Sequence, residues 1–133
     1  MKLDILAFGA HPDDVELSAA GTLLNQIELG QKVGIIDLTR GDLGTRGSAE
    51  IRDQEAAAAA EIMGIHAREN LELADGHFED NTESRLEVIR MLRKYQPDIV
   101  LANAIKDRHP DHGRGAKMVA ESCFLAGLIK IET

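Results

Sequence analysis

The sequence predicts an α/β fold: a Rossmann-like three-layer sandwich around a mostly parallel sheet of strand order 3-2-1-4-5. Three observations predict it. Short apolar runs alternate with longer amphipathic stretches along all 133 residues, the pattern of strands joined by crossover helices. Gly30, Gly64 and Pro97 close the amphipathic stretches where helices would stop. Two segments dense in His and Asp directly follow the first and fourth apolar runs. In doubly wound sheets, ligands bind beyond the carboxyl ends of the strands, where strand order reverses.

The first strand spans Leu3–Gly9, and a helix follows from Asp14 to Leu29. The second strand is Lys32–Thr39, followed by a loop, Arg40–Ser48, that carries three glycines. Ser48 is placed as the N-cap of a second helix, Ala49–Met63. A short third strand lies near Asn70–Leu73. The third helix runs Thr82–Tyr95, with Asp80 and Glu83 spaced as a capping box. The fourth strand is Asp98–Asn103, and a fourth helix starts near Gly113 and fades around Gly127. The closing residues, LIKIET, read as a fifth strand beginning. With no helix after it, one side of the sheet would be poorly covered. Residues 1–133 are therefore expected to be the N-terminal portion of a single domain, incomplete at the C-terminus.

Net charge is -8, which repels nucleic-acid phosphates, and aromatics are too scarce for base stacking. No stretch approaches the roughly 18 apolar residues of a membrane span, and the N-terminus lacks the basic and apolar regions of a signal peptide. Neither nucleic acid nor a membrane is an expected partner. The single cysteine, Cys123, cannot pair within the chain, so a reducing, cytoplasmic setting is expected, with Cys123 buried on its helix.

The chemistry lies in His11-Pro12-Asp13-Asp14, with Glu16 close behind, and in Asp107-Arg108-His109-Pro110-Asp111-His112. Each has a plain reading as a turn or helix cap. Together, at two strand ends flanking the switch point, they point to one metal site, with His11 and His112 facing across a crevice. A catalytic zinc takes three nitrogen or oxygen ligands and leaves a position for water. One His from each segment plus one carboxylate supplies that set. The neighbouring Asp could then accept a proton from the metal-bound water, whose pKa zinc lowers to about 7. The remaining His could stabilise an oxyanion or protonate a leaving amine, with Asp111 orienting it.

On Ala10–Glu16 and His109–His112 the sequence resembles the zinc-dependent N-acetylglucosaminyl deacetylases of the LmbE/PIG-L type. The segment Leu38–Gly47, followed by Glu50-Ile51-Arg52, looks like the bacillithiol-biosynthesis branch. The resemblance implies a hydrolase that removes acetyl from an N-acetylated amino sugar conjugate, N-acetylglucosaminyl-malate in that branch. It implies His11, Asp14 and His112 as metal ligands and Asp13 as general base. It implies His109 for oxyanion stabilisation or acid catalysis, with Asp111 behind it. It places Arg52 in the substrate site. Arg52 also falls in the first turn of a helix, where a cation opposes the dipole. The alternative for it is a solvated arginine paired with Glu50 or Glu55. Arg40 or Arg46, on a mobile glycine-bearing rim, would meet malate carboxylates. His66 and His77 are expected on the surface. A homo-oligomer is expected for the full-length protein.

A dinucleotide-binding module would need Gly-x-Gly-x-x-Gly after the first strand, where this chain has carboxylates that repel phosphate. A two-His-one-carboxylate set also fits a non-haem Fe(II) oxygenase, so ferrous iron is the alternative to zinc. A metal-binding but inactive fragment is the third reading, and Asp13 beside Asp14 argues against it.

Overall fold

The computed structural model describes Met1–Thr133. The elements run β1 (Ile5–Gly9), α1 (Asp14–Glu28), β2 (Val33–Thr39), α2 (Ala49–Met63), β3 (Ala67–Leu73), α3 (Thr82–Tyr95), β4 (Ile99–Leu101) and α4 (Pro110–Leu125). The four strands form one all-parallel sheet of order β3-β2-β1-β4. Alternation along the strands divides the core in two. Leu6, Phe8, Ile36 and Leu38 pack with Val88 and Leu92 of α3 and Met118 and Val119 of α4. Ile5, Ala7, Val33 and Ile35 point the other way, onto Val15 and Leu23 of α1 and Met63 of α2. Burial on both faces explains why β1 and β2 read as near-continuous apolar runs. No helix is long and apolar enough to cross a membrane.

Asp37 is the polar exception inside β2. Arg68 of β3 donates to both its carboxylate oxygens, at 2.8 and 3.0 Å, and also reaches Glu16 of α1 at 2.9 Å. Burial pushes the Asp37 carboxyl up to about 6, although Arg68 opposes the shift.

Several expectations need correction. The third strand begins at Ala67 because its polar residues are half-buried and partnered, as Arg68 is. Helix α3 is capped by Asn81, whose side chain accepts the Ser84 N–H, while Asp80 binds Arg85; the Asp80/Glu83 box does not form. Helix α4 starts at Pro110, not Gly113, with proline in the first turn, where its missing N–H is not needed. Cys123 is exposed, because the buried face of α4 runs through Gly115, Met118, Val119 and Ser122. Residues 128–133 form no strand, so the described sheet ends at β4. The Arg93 guanidinium takes the carbonyls of Leu128 and Ile131, which a ladder would have required, and that of Ala126 at the end of α4.

Leu6 is fully buried, so Leu6→Ala should cost about 2–5 kcal/mol in chemical denaturation. Leu17 is 83% exposed, and Leu17→Ala should stay within about 0.5 kcal/mol of the parent.

Candidate metal centre

Pairing of β1 with β4 brings the two motif-bearing loops to one sheet edge. Asn103, just past β4, fastens them. Its Oδ1 accepts the Ala10 N–H at 2.9 Å, and its Nδ2 donates to Asp14 Oδ2 at 3.2 Å. The same Oδ2 accepts the His11 N–H at 3.0 Å. Asp13, the residue before α1, takes φ 91°, a left-handed conformation costing about 1–3 kcal/mol in a non-glycine residue. Its side chain makes no capping hydrogen bond, which leaves the carboxylate free to face the pocket.

Asp14 Oδ2 lies 3.5 Å from His11 Nδ1 and 3.3 Å from His112 Nε2. Ligand atoms of these three residues lie within 4.8 Å of one another. The ring nitrogens turned away from Asp14 meet carboxylates. His11 Nε2 lies 2.8 Å from Asp111 Oδ2 and 3.1 Å from Asp75 Oδ1, and His112 Nδ1 lies 3.1 Å from Asp107 Oδ2. An ionised carboxylate only accepts, so these nitrogens donate, and the convergent ones face Asp14. Two imidazole nitrogens and a carboxylate oxygen fit zinc or ferrous iron.

Without an ion, the same carboxylates favour a protonated His11, and metal binding there would release the proton facing Asp14. Burial lowers the His11 pKa, but hydrogen bonds to Asp14 and Asp111 win and push it up to about 9. Burial works against ionisation of Asp14, yet the His11 ring and backbone hold its pKa below the usual range. Burial raises Asp13, with the Arg52 guanidinium pulling the other way.

His11, His109 and Asp111 also converge. The Asp111 carboxylate, however, is already taken by His11 Nε2, the Gly76 N–H at 2.9 Å and Arg114 at 3.0 Å. This corrects the expectation that Asp111 orients His109 with its carboxylate. It orients His11. The backbone N–H of Asp111 is what orients His109, donating to Nδ1 at 3.1 Å. His109 Nε2 therefore keeps the proton and is a donor at the pocket that His109 lines.

That pocket has a volume of about 250 Å³ and is walled by His11, Asp13, Asp75, His109 and Arg52. A cleft of about 500 Å³ adjoins it beyond Asp13 and Arg52 and holds Arg46 and Glu55. Arg52 is not the solvated partner of Glu50 or Glu55. Its Nη2 donates to Pro12 O at 3.1 Å and lies 4.0 Å from Asp13 Oδ2. A Cβ at Gly41 or Gly44 would come within 2.8 or 2.7 Å of its guanidinium, so a side chain at either would displace Arg52, and the left-handed backbone at Gly41, φ 64°, favours glycine. Arg40 is not brought to this pocket; it binds Asp53 at 2.6 Å and lines another cleft. His66 and His77 are exposed, and His66 Nδ1 accepts the Val33 N–H. Sequence reasoning missed Asp75, Asn103 and Asp107. Asp75 also accepts the Leu43 N–H at 2.8 Å, tying the glycine loop to His11. Only Asp107, inside a motif, carried a usable signal.

The PIG-L family pattern, described as GlcNAc-PI de-N-acetylase, matches residues 6–123. The chain belongs to the PIG-L family. Diacetylchitobiose deacetylase of Thermococcus kodakarensis is 30% identical over 134 residues, covering 93% of this chain and 50% of that protein. The crystal structure of a conserved protein of Thermus thermophilus is 42% identical with a TM-score of 0.91, covering 96% of this chain and 58% of that one. The 4-carboxy-2-hydroxymuconate hydratase of Pseudomonas putida matches at 25% identity and a TM-score of 0.84, covering 94% and 57%. The chain spans about half the length of curated relatives it matches. A hydratase among them means that activity must be argued from the site.

Gly41→Ala should destabilise the protein through its left-handed backbone and by crowding Arg52. In an Arg52→Ala background that cost should shrink by about 0.5 kcal/mol or more in a double-mutant cycle read by chemical denaturation.

Proposed function

We propose that residues 1–133 form the metal-bearing part of a single deacetylase domain that hydrolyses the acetamide of an N-acetylated amino sugar. The observation that carries this is the placement of Asp13 and His109 on one pocket with the ligand residue His11. His11, Asp14 and His112 would hold a divalent ion, zinc in this reading, which would supply Lewis acidity toward the amide oxygen and water. Asp13 takes a proton from the attacking water, and its raised pKa brings it closer to neutral working pH. His109 donates from Nε2 to the oxygen on which charge develops. The C–N bond breaks, Asp13 returns the proton to the leaving amine, and acetate is released. Asp111 and Asp75 keep the His11 ring oriented throughout.

For the substrate, the reading is N-acetylglucosaminyl-malate. Arg52 stands between pocket and cleft, and Arg46 lines the cleft. Guanidinium groups grip carboxylates with paired hydrogen bonds. The name of the Thermococcus relative, a deacetylase of an N-acetylated sugar, supports the coarser class.

The full-length zinc-loaded protein incubated with N-acetylglucosaminyl-malate should release acetate; no release from this or from plain N-acetylglucosamine overturns the deacetylase reading. Asp13→Asn should keep zinc and lose about 10²–10⁴-fold in turnover. A near-parental rate would remove Asp13 as the base. Arg52→Lys, which cannot copy the fork, should impair the malate glycoside more than plain N-acetylglucosamine. Equal losses would assign Arg52 to the reacting centre or the fold.

A further inference from the structure

Asp107 lies outside the expected ligand set and outside the pocket wall, yet it touches both histidines of its segment. Its Oδ1 accepts the His109 N–H at 3.1 Å, a turn closed two residues on by a short carboxylate side chain. Its Oδ2 lies 3.1 Å from His112 Nδ1, five residues on. One carboxylate thus spans the loop from β4 into α4, shaping the backbone ahead of Pro110 and holding the ring of His112.

The ring contact has a chemical consequence. Neutral imidazole has one N–H and one lone pair. Asp107 can only accept from Nδ1, so its contact favours the tautomer with the proton there, which leaves Nε2, on the side of Asp14 Oδ2, as the nitrogen for a metal. With the other tautomer, Nε2 would present a proton to the convergent point. His11 solves the same problem differently. Its outward nitrogen meets Asp111 and Asp75, both deeply buried, from α4 and from the segment after β3. His112 has no such buried support; among the ion pairs of its ring, Asp107 is the contact on the outward nitrogen.

We infer that Asp107 is a positioning residue, which sets the tautomer and direction of the His112 ring so that its Nε2 can bind a divalent ion together with His11 and Asp14. The inference rests on the metal-site reading above. Removing an outer carboxylate of a metal-bound histidine typically weakens metal binding roughly 10–100-fold. Asp107 is partly exposed on a loop, so its replacement leaves the core intact.

The test measures metal, not turnover. Zinc affinity of Asp107→Ala and Asp107→Asn is measured by chelator competition, with the thermal midpoint of the metal-free proteins recorded alongside. The His112 ring is followed by long-range ¹H–¹⁵N correlation in the metal-free and zinc-loaded proteins. Asp107→Ala should bind zinc roughly 10–100-fold more weakly, at an unchanged metal-free midpoint. Asp107→Asn, whose amide oxygen still accepts from Nδ1–H, should fall between it and the parent. In the metal-free parent, Nδ1 of His112 should carry the tautomeric proton, and in Asp107→Ala the two tautomers should mix. Affinity within twofold of the parent overturns the inference. So does weaker binding with the His112 tautomer unchanged, because that marks a purely structural loop effect. Asp14→Asn serves as the control. If it keeps parental zinc affinity, the ligand reading itself fails, an outcome distinct from failure at Asp107.

Discussion

One carboxylate oxygen, Oδ2 of Asp14, is the point on which the site turns. It accepts the His11 N–H and an Asn103 amide hydrogen, and it faces the rings of His11 and His112. Those contacts join the end of β1 to the end of β4. They also explain why Asp13, not Asp14, faces the pocket. Asp14 is consumed in closing the turn, and the left-handed backbone at Asp13 throws its side chain the other way. Five aspartates, at 13, 14, 75, 107 and 111, surround three histidines here. So much negative charge in a partly buried space is costly unless cations or hydrogen-bond donors meet it. The imidazoles, Arg52, Arg114 and backbone amides of His11 and Gly76 meet part of it.

Much of this arrangement was legible in the chain. His11, Asp14 and His112 stood in short, chemically dense segments at the ends of apolar runs, and strand-order rules alone placed those ends side by side. The supports were less visible for a physical reason. Asp75 and Asn103 act through tertiary contacts and have no chemically suggestive neighbours in sequence. Asp111 was recognised but matched to the nearer histidine in sequence, whereas its carboxylate reaches one a hundred residues away. The misread elements have the same origin. LIKIET alternates like a strand, but Arg93 takes its carbonyls. Ala67–Leu73 does not look like a buried strand until Arg68 is seen paired with Asp37 and Glu16.

The arginines show how one residue type serves different ends. Arg68 is locked between two carboxylates and fixes the start of α1 against the sheet. Arg40 is held at the surface by Asp53. Arg52 threads between the glycine loop and the Pro12 carbonyl, and so joins the loop, the turn carrying Asp13 and the first turn of α2. Charge alone would not have separated these roles; the acceptor each guanidinium finds does.

The hydrogen bond between Ala10 and Asn103 joins residues 93 positions apart. Long loops are closed late, because their entropy is lost before the contacts reward it. β1–β2 and β2–β3 each close over about a third of that separation and can pair without β4. The three donor atoms therefore meet only once the segment after β4 lies beside the end of β1. A ribosome-bound chain would carry His11 and Asp14 for much of its synthesis with nothing opposite them. Metal capture at this site would in that sense report that β4 has paired with β1.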